Sequence, residues 1–173
     1  MNSQATTSSS GHVPLSAATL ERFATEVAKF PPEQKQSAVM ACLSIVQQER
    51  GYVSRQAEDD IAAYLGMPSI AVYEVTTFYN MYNQQPVGKF KINVCTNLPC
   101  QLRDGQQALA HICRKLGVAV GGTTSDGQFT VQQSECLGAC ADSPVMLIND
   151  REMISFMSNE RIDDLLATLA AAK

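Results

Sequence analysis

The chain is 173 residues long, enough for one ordinary domain or two small ones. Hydrophobic residues make up 45% and charged residues 17%, the composition of a folded chain rather than a disordered one. A net charge of −4 leaves no basic footprint for nucleic acid, and no apolar run approaches the roughly 20 residues of a direct membrane insertion.

Residues 1–14 are rich in Ser and Thr and carry no formal charge. They lack the basic start and apolar core of a secretory signal and the arginines of a transit peptide, so a disordered tail is expected over 1–14. Without an export signal, the six cysteines belong in a reducing compartment, where they serve as ligands or buried thiols rather than as disulfides.

Residues 15–85 read as four short helices. Leu15-Ser16 supplies a staple and N-cap for a helix from Ala17 to about Ala28. Pro31-Pro32 breaks it and opens a second helix over 33–49, with Val39, Cys42, Leu43 and Val46 on one stripe and Gly51 as its stop. On that stripe Cys42 is a small core hydrophobe. Ser54 caps a third helix through about Leu65, with Gly66 as its stop, and a fourth runs from about Ile70 to Tyr82. The stretch 61–73 has the outline of a helix-turn-helix, but residues 69–82 hold neither Arg nor Lys, so they form a packing surface rather than a DNA reader. Tyr73, Phe78, Tyr79 and Tyr82 suit an inter-domain seam or a face for another protein.

From Pro86 onward the pattern changes. Phe90, Ile92 and Val94 alternate with Lys89, Lys91 and Asn93, the period of a strand, which delivers Cys95 at its carboxyl end. Gly105, Ala108, Leu109, Ile112, Cys113 and Leu116 then mark a helical stripe, on which Cys113 is structural and from which His111 falls away as a lone exposed side chain. Strands follow over 128–134, 145–148 and 152–156, the last two joined by an Asn149-Asp150 turn, and Ser158 or Asn159 caps a final helix. The order β-α-β, β-β-α predicts a layered sheet-and-helix domain compatible with a thioredoxin-like fold.

Two cysteine pairs sit on loops at strand ends: Cys95-Thr-Asn-Leu-Pro-Cys100 and Cys136-Leu-Gly-Ala-Cys140. Four thiolates so placed hold a metal or an iron–sulfur cluster. Zinc sites commonly use C-x2-C and accept wider spacings, whereas a two-iron cluster takes two thiolates on each iron and suits the x4 bite better. A thioredoxin-type dithiol would need C-x-x-C, which is absent. Gly138 leaves room for the backbone to curl around a sulfur and aim N–H groups at it. No Gly-rich nucleotide loop or acid–base pair is present, so an electron carrier serving a partner is the reading that spacing favours, with a zinc-stapled interaction module as the alternative.

Several stretches carry a family resemblance: Thr77-Phe78-Tyr79, Pro86-Val87-Gly88-Lys89, Val94-Cys95-Thr96-Asn97 with Cys100, Glu135 to Cys140, Pro144, and Ile148-Asn149-Asp150. Over about 17–170 the chain resembles the 24-kDa thioredoxin-like [2Fe-2S] subunit family of respiratory complex I, the NADH-quinone oxidoreductase. The resemblance implies an α+β architecture: an N-terminal four-helix bundle over 15–85, then a thioredoxin-like α/β domain over 86–173. It implies Cys95, Cys100, Cys136 and Cys140 as ligands of one [2Fe-2S] cluster. It also implies a flavoprotein partner that binds FMN and NAD(H), a further iron–sulfur subunit, and a cytoplasmic, bacterial location peripheral to the inner membrane through the parent complex. Relatives in NAD-reducing or bifurcating hydrogenases and NAD-linked formate dehydrogenases share the pattern, and leave the parent enzyme open. Ala141-Asp142-Ser143-Pro144 departs from the family's more usual stretch ending in Ala-Pro, and a cis Ser143–Pro144 bond is expected there.

Overall fold

A computed structural model describes residues 13–172. The expected tail over 1–14 lies almost wholly outside those residues. The chain divides between Gln85 and Pro86 into two compact units.

Among the described residues, the first unit holds four α-helices and one 3-10 segment around a single core. Helix α1 spans Ala17–Val27, and the Ser16 hydroxyl accepts the Thr19 N–H at 3.1 Å, which caps its amino end. Phe23 drops from it into the core and meets Tyr64 edge-on at 5.2 Å. Helix α2 is shorter than expected. Pro32–Ala38 forms the 3-10 segment, interrupted by a non-helical Gln34, and α2 occupies Val39–Arg50. The proline start and the absence of a side-chain cap leave the first turns too weakly held for α-helical closure. The stripe itself is as expected, with Cys42, Leu43 and Val46 fully buried and Gly51 left-handed at φ 80°.

Helix α3 covers Arg55–Leu65, capped by Ser54, and α4 covers Ser69–Phe78. The fourth helix therefore stops four residues before Tyr82. Tyr79 is extended, and Tyr82 turns back so that its hydroxyl donates to the Met40 carbonyl at 2.9 Å. The aromatic run splits accordingly: Tyr82 is buried, while Phe78 is 80% exposed. Between α3 and α4 the buried Glu58 carboxylate accepts the Thr76 hydroxyl at 2.5 Å and the Arg55 guanidinium at 3.0 Å.

The second unit is built on a four-stranded sheet. Strands β1 (Phe90–Cys95), β2 (Phe129–Ser134), β3 (Met146–Ile148) and β4 (Glu152–Ile154) lie in the order β2-β1-β3-β4. β1 runs parallel to β2 in the register Phe90↔Phe129 to Cys95↔Ser134, and antiparallel to β3 with Ile92 opposite Ile148. A parallel pair needs a crossover, and the chain supplies it through a one-turn helix α5 (Leu98–Gln101) and helix α6 (Gly105–Leu116). β3 and β4 form a hairpin over Asn149 and Asp150, both left-handed at φ 51° and 56°. Helix α7 (Asn159–Ala171) is capped by Ser158.

The apolar face of this sheet, with Ile92, Val94, Val131 and Met146, packs under Leu109 and Ile112 of α6 and Ile162 and Leu166 of α7. Burying side chains of this size contributes about 1.5–3 kcal/mol each. Lys91 and Asn93 alternate with them on β1, and both bond Asp150, the lysine at 2.5 Å and the amide at 2.8 Å. One expectation is corrected here. His111 is neither lone nor exposed: its Nε2 lies 2.8 Å from the Asp163 carboxylate on α7, which Lys115 also reaches at 2.9 Å. The i, i+4 spacing of His111 and Lys115 on α6 brings both to one acceptor.

Candidate metal centre

Each cysteine pair is set by a different piece of local structure. Cys95 is the last residue of β1, fixed on both sides: its N–H donates to the Val145 carbonyl at 3.1 Å, and the next N–H, of Thr96, donates to Ser134 at 3.0 Å. Five residues on, Cys100 rides on α5, a turn that the spacing alone read as loop. Pro99 pre-sets φ in its first turn, and Asn97 precedes it. The two side chains are 2% and 1% exposed and share a small apolar cluster with Val145. Leu137 and Ala139, from the second cysteine loop, pack against that cluster.

Gly105, which the helical stripe placed simply on a buried face, opens α6 against these turns. A Cβ there would sit 2.8 Å from the carbonyl oxygens of both Cys95 and Cys100. Only a glycine lets α6 begin so close to the first cysteine loop. The sequence does carry a signal for it, a glycine heading an apolar helical stripe.

Cys136 and Cys140 are exposed. Gly138 is left-handed between them at φ 76°, and its N–H points at Cys136 Sγ from 3.4 Å. Cys140 opens a single 3-10 turn to Asp142, and Ser143–Pro144 leads into β3 through a cis peptide. All six cysteines are free thiols. Cys42 and Cys113 pack into the cores of the first and second units and take no part in this constellation.

The two buried thiols differ in character. Burial pushes Cys95 up from the ordinary thiol value, outweighing the Asn97 N–H that favours its ionised form. Cys100 is also penalised by burial, but hydrogen bonds from Ser143, Cys95 and the Val145 backbone together hold it below the ordinary value. Of the pair, Cys100 gives up its proton first. Cys100 Sγ lies 3.3 Å from Ser143 Oγ, and Cys95 Sγ lies 3.8 Å from the Glu135 carbonyl.

The structure thus brings Cys95 and Cys100 together and places Cys136 and Cys140 on the adjoining loop. Among the described residues, no group of three or more His, Cys, Asp or Glu side chains is gathered into a closed cage. A cleft of about 470 Å³ opens beside Ser143 and Pro144, where Arg103 faces Asp104 and Glu160. One cation against two carboxylates is poorly suited to a phosphate or carboxylate ligand.

The family model for thioredoxin-like [2Fe-2S] ferredoxins matches residues 23–170. The chain belongs to that family. Its cofactor is a [2Fe-2S] cluster, and an all-sulfur donor set with an N–H aimed at one of the sulfurs fits such a group.

Among curated members of the thioredoxin-like [2Fe-2S] ferredoxin family, NADH-quinone oxidoreductase subunit 2 of Thermus thermophilus is 37% identical over 146 residues, 84% of this chain and 81% of the relative. The corresponding NADH-quinone oxidoreductase subunit of Rickettsia conorii is 45% identical over 126 residues, 72% of this chain and 75% of the relative. In fold, the chain is similar to a part of an NAD+-reducing [NiFe]-hydrogenase in the H2-reduced state, with a TM-score of 0.67 and 22% identity over 79% of this chain. The chain spans only 22% of the length of that hydrogenase chain.

Proposed function

We propose that this chain is the electron-transfer subunit of an NADH-quinone oxidoreductase. In this reading Cys95 and Cys100 hold one iron of the [2Fe-2S] cluster, and Cys136 and Cys140 hold the other. The observation that carries it is the division of the thiols into a buried pair at the end of β1 and an exposed pair on the loop packed against it. Two bites of two sulfurs suit two irons.

When bound, the cluster supplies one-electron redox chemistry. The chain's own residues fix where that happens. β1 and α5 hold one pair out of solvent, and the Gly138 N–H and the Ser143 hydroxyl are placed to offset negative charge on sulfur. The Cys136–Cys140 loop stays at the surface, where an exchange partner can approach closely.

That partner is a flavoprotein subunit carrying FMN and NAD(H), with a further iron–sulfur subunit beyond it. The second unit is the ferredoxin domain. The first is a four-helix bundle whose exposed Ile70 and Phe78 suit contact with a neighbouring subunit. Among the described residues no helix is long and apolar enough to cross a membrane. In this reading the chain lies on the cytoplasmic side and meets the inner membrane through its parent complex. An oxidoreductase parent is favoured over a hydrogenase because the former relatives reach 37% and 45% identity, against 22% for the latter.

The test is a spectrum of anaerobically purified protein before and after dithionite, with iron and sulfide counted. A red-brown protein with about two irons and two sulfides, EPR-silent until reduced, is expected. A colourless chain with one zinc and no sulfide would instead make the cysteines a structural staple.

A further inference from the structure

Ser143 is fully buried directly behind the second cysteine loop. Its hydroxyl oxygen lies 3.3 Å from Cys100 Sγ and 2.7 Å from the Cys140 carbonyl oxygen. A hydroxyl carries one proton and can satisfy only one of these acceptors fully. While Cys100 is a thiol, both contacts close as a relay. The S–H donates to Ser143 Oγ, and the Ser143 proton goes to the carbonyl.

A ligand thiolate has no proton to give. Sulfur and carbonyl then compete for the single Ser143 proton. A hydrogen bond to an ionised acceptor is roughly twice as strong as one between neutral groups. The site is also dry, since Ser143, Cys95, Cys100 and Val145 are all buried. In that low dielectric the preference for the anion grows.

We infer that Ser143 is a positioning residue whose hydroxyl turns from the Cys140 carbonyl to the ligand sulfur of Cys100, and so raises the potential of the centre. The inference rests on the ligand assignment proposed above. Donors to ligand sulfurs stabilise the more negative, reduced state, and their loss lowers the potential. Each cysteine pair then has one donor on a sulfur: the Gly138 backbone N–H at Cys136 and the Ser143 side chain at Cys100. Only the second can be deleted by substitution.

The experiment is an EPR-monitored redox titration of the intact chain and of Ser143→Ala, with iron and sulfide counted in each. The expected result is a full complement of both in the variant, with a more negative potential. A tenfold shift in the electron-exchange equilibrium would read as about 59 mV for a one-electron couple. A full complement at unchanged potential overturns the inference. Should Ser143→Ala fail to hold the cluster, the isosteric pair Ser143→Thr and Ser143→Val decides. Better retention or a more positive potential with Thr supports the hydroxyl's role, and equal behaviour overturns it. A Cys100→Ser variant with an unaltered spectrum and full iron would instead fail the ligand assignment itself.

Discussion

Gly105 and Cys100 approach so closely that a Cβ on the glycine would lie 2.8 Å from the cysteine's carbonyl oxygen. The nearest obstacles are backbone atoms, which cannot swing aside as a side-chain tip can. Gly105→Ala should therefore displace α6 or the Cys95–Cys100 turn, at a cost of about 1–3 kcal/mol. Chemical unfolding should detect the loss, and iron content should fall with it. A variant as stable and as iron-loaded as the parent would show that the turn has slack.

The six thiols should separate cleanly under substitution. Cys136→Ser should lose or severely disturb the cluster. Cys113→Ala, at a half-buried site on α6, should keep it and lose about 1 kcal/mol or less of stability. Iron and sulfide analysis beside a thermal melt distinguishes the two effects. Loss of the cluster from a folded Cys113→Ala protein would overturn the ligand assignment.

Cys42 offers a test of the first unit alone. Burial, with a smaller contribution from Glu26, pushes its thiol from 9.0 up to about 12. In the unfolded chain the thiol ionises near its ordinary value, while in the folded chain it stays protonated. Its contribution to stability is therefore full below pH 9 and is lost as pH rises towards 12. The slope in that window is about 1.4 kcal/mol per pH unit. Melts from pH 8 to 10.5 should find the parent falling relative to Cys42→Ala, and alkylation at pH 8.5 should spare Cys42 until denaturant is added.

Asp163 works in the opposite direction. Hydrogen bonds from His111 and then Lys115 hold its carboxyl below the usual carboxylate range. A depressed folded value means the contribution is present above the unfolded value and is lost as pH falls through the folded one. Asp163→Asn should be less stable than the parent near neutrality, and the gap should close on acidification below pH 4 or so. Because the carboxylate is exposed, raising the salt concentration should also narrow the gap. A gap unchanged between pH 6 and pH 3 would remove Asp163 from the α6–α7 contact.

Most of the second unit was legible in the sequence because each element announces its own period. Alternation over Lys89–Val94 and the stripe from Gly105 to Leu116 are local signals, and helix and strand formed where they lie. The cysteine spacing likewise points to the chemistry without help from the fold. What stayed hidden depended on distance in space rather than along the chain. Nothing near His111 in sequence points to Asp163, 52 residues away. Nor does the apolar character of Tyr79 and Met81 say that α4 ends at Phe78, since that ending is set by Tyr82 reaching Met40 on α2. Turns lacking a cap were the other blind spot, as the 3-10 start before α2 shows.

The parallel register of β1 and β2 makes the distance between the two cysteine loops a matter of counting. Both loops leave the same edge of the sheet because Cys95 and Ser134 are paired at its end. A strand advances about 3.3 Å per residue, and a single-residue slip also turns every side chain to the opposite face. Deleting one residue from β2 would carry Val131 out of the core, while deleting two would restore the core and retract the second loop by about 6.6 Å. The spacing between the two cysteine pairs can therefore change only in steps of two residues, each far larger than any adjustment a metal–sulfur bond tolerates.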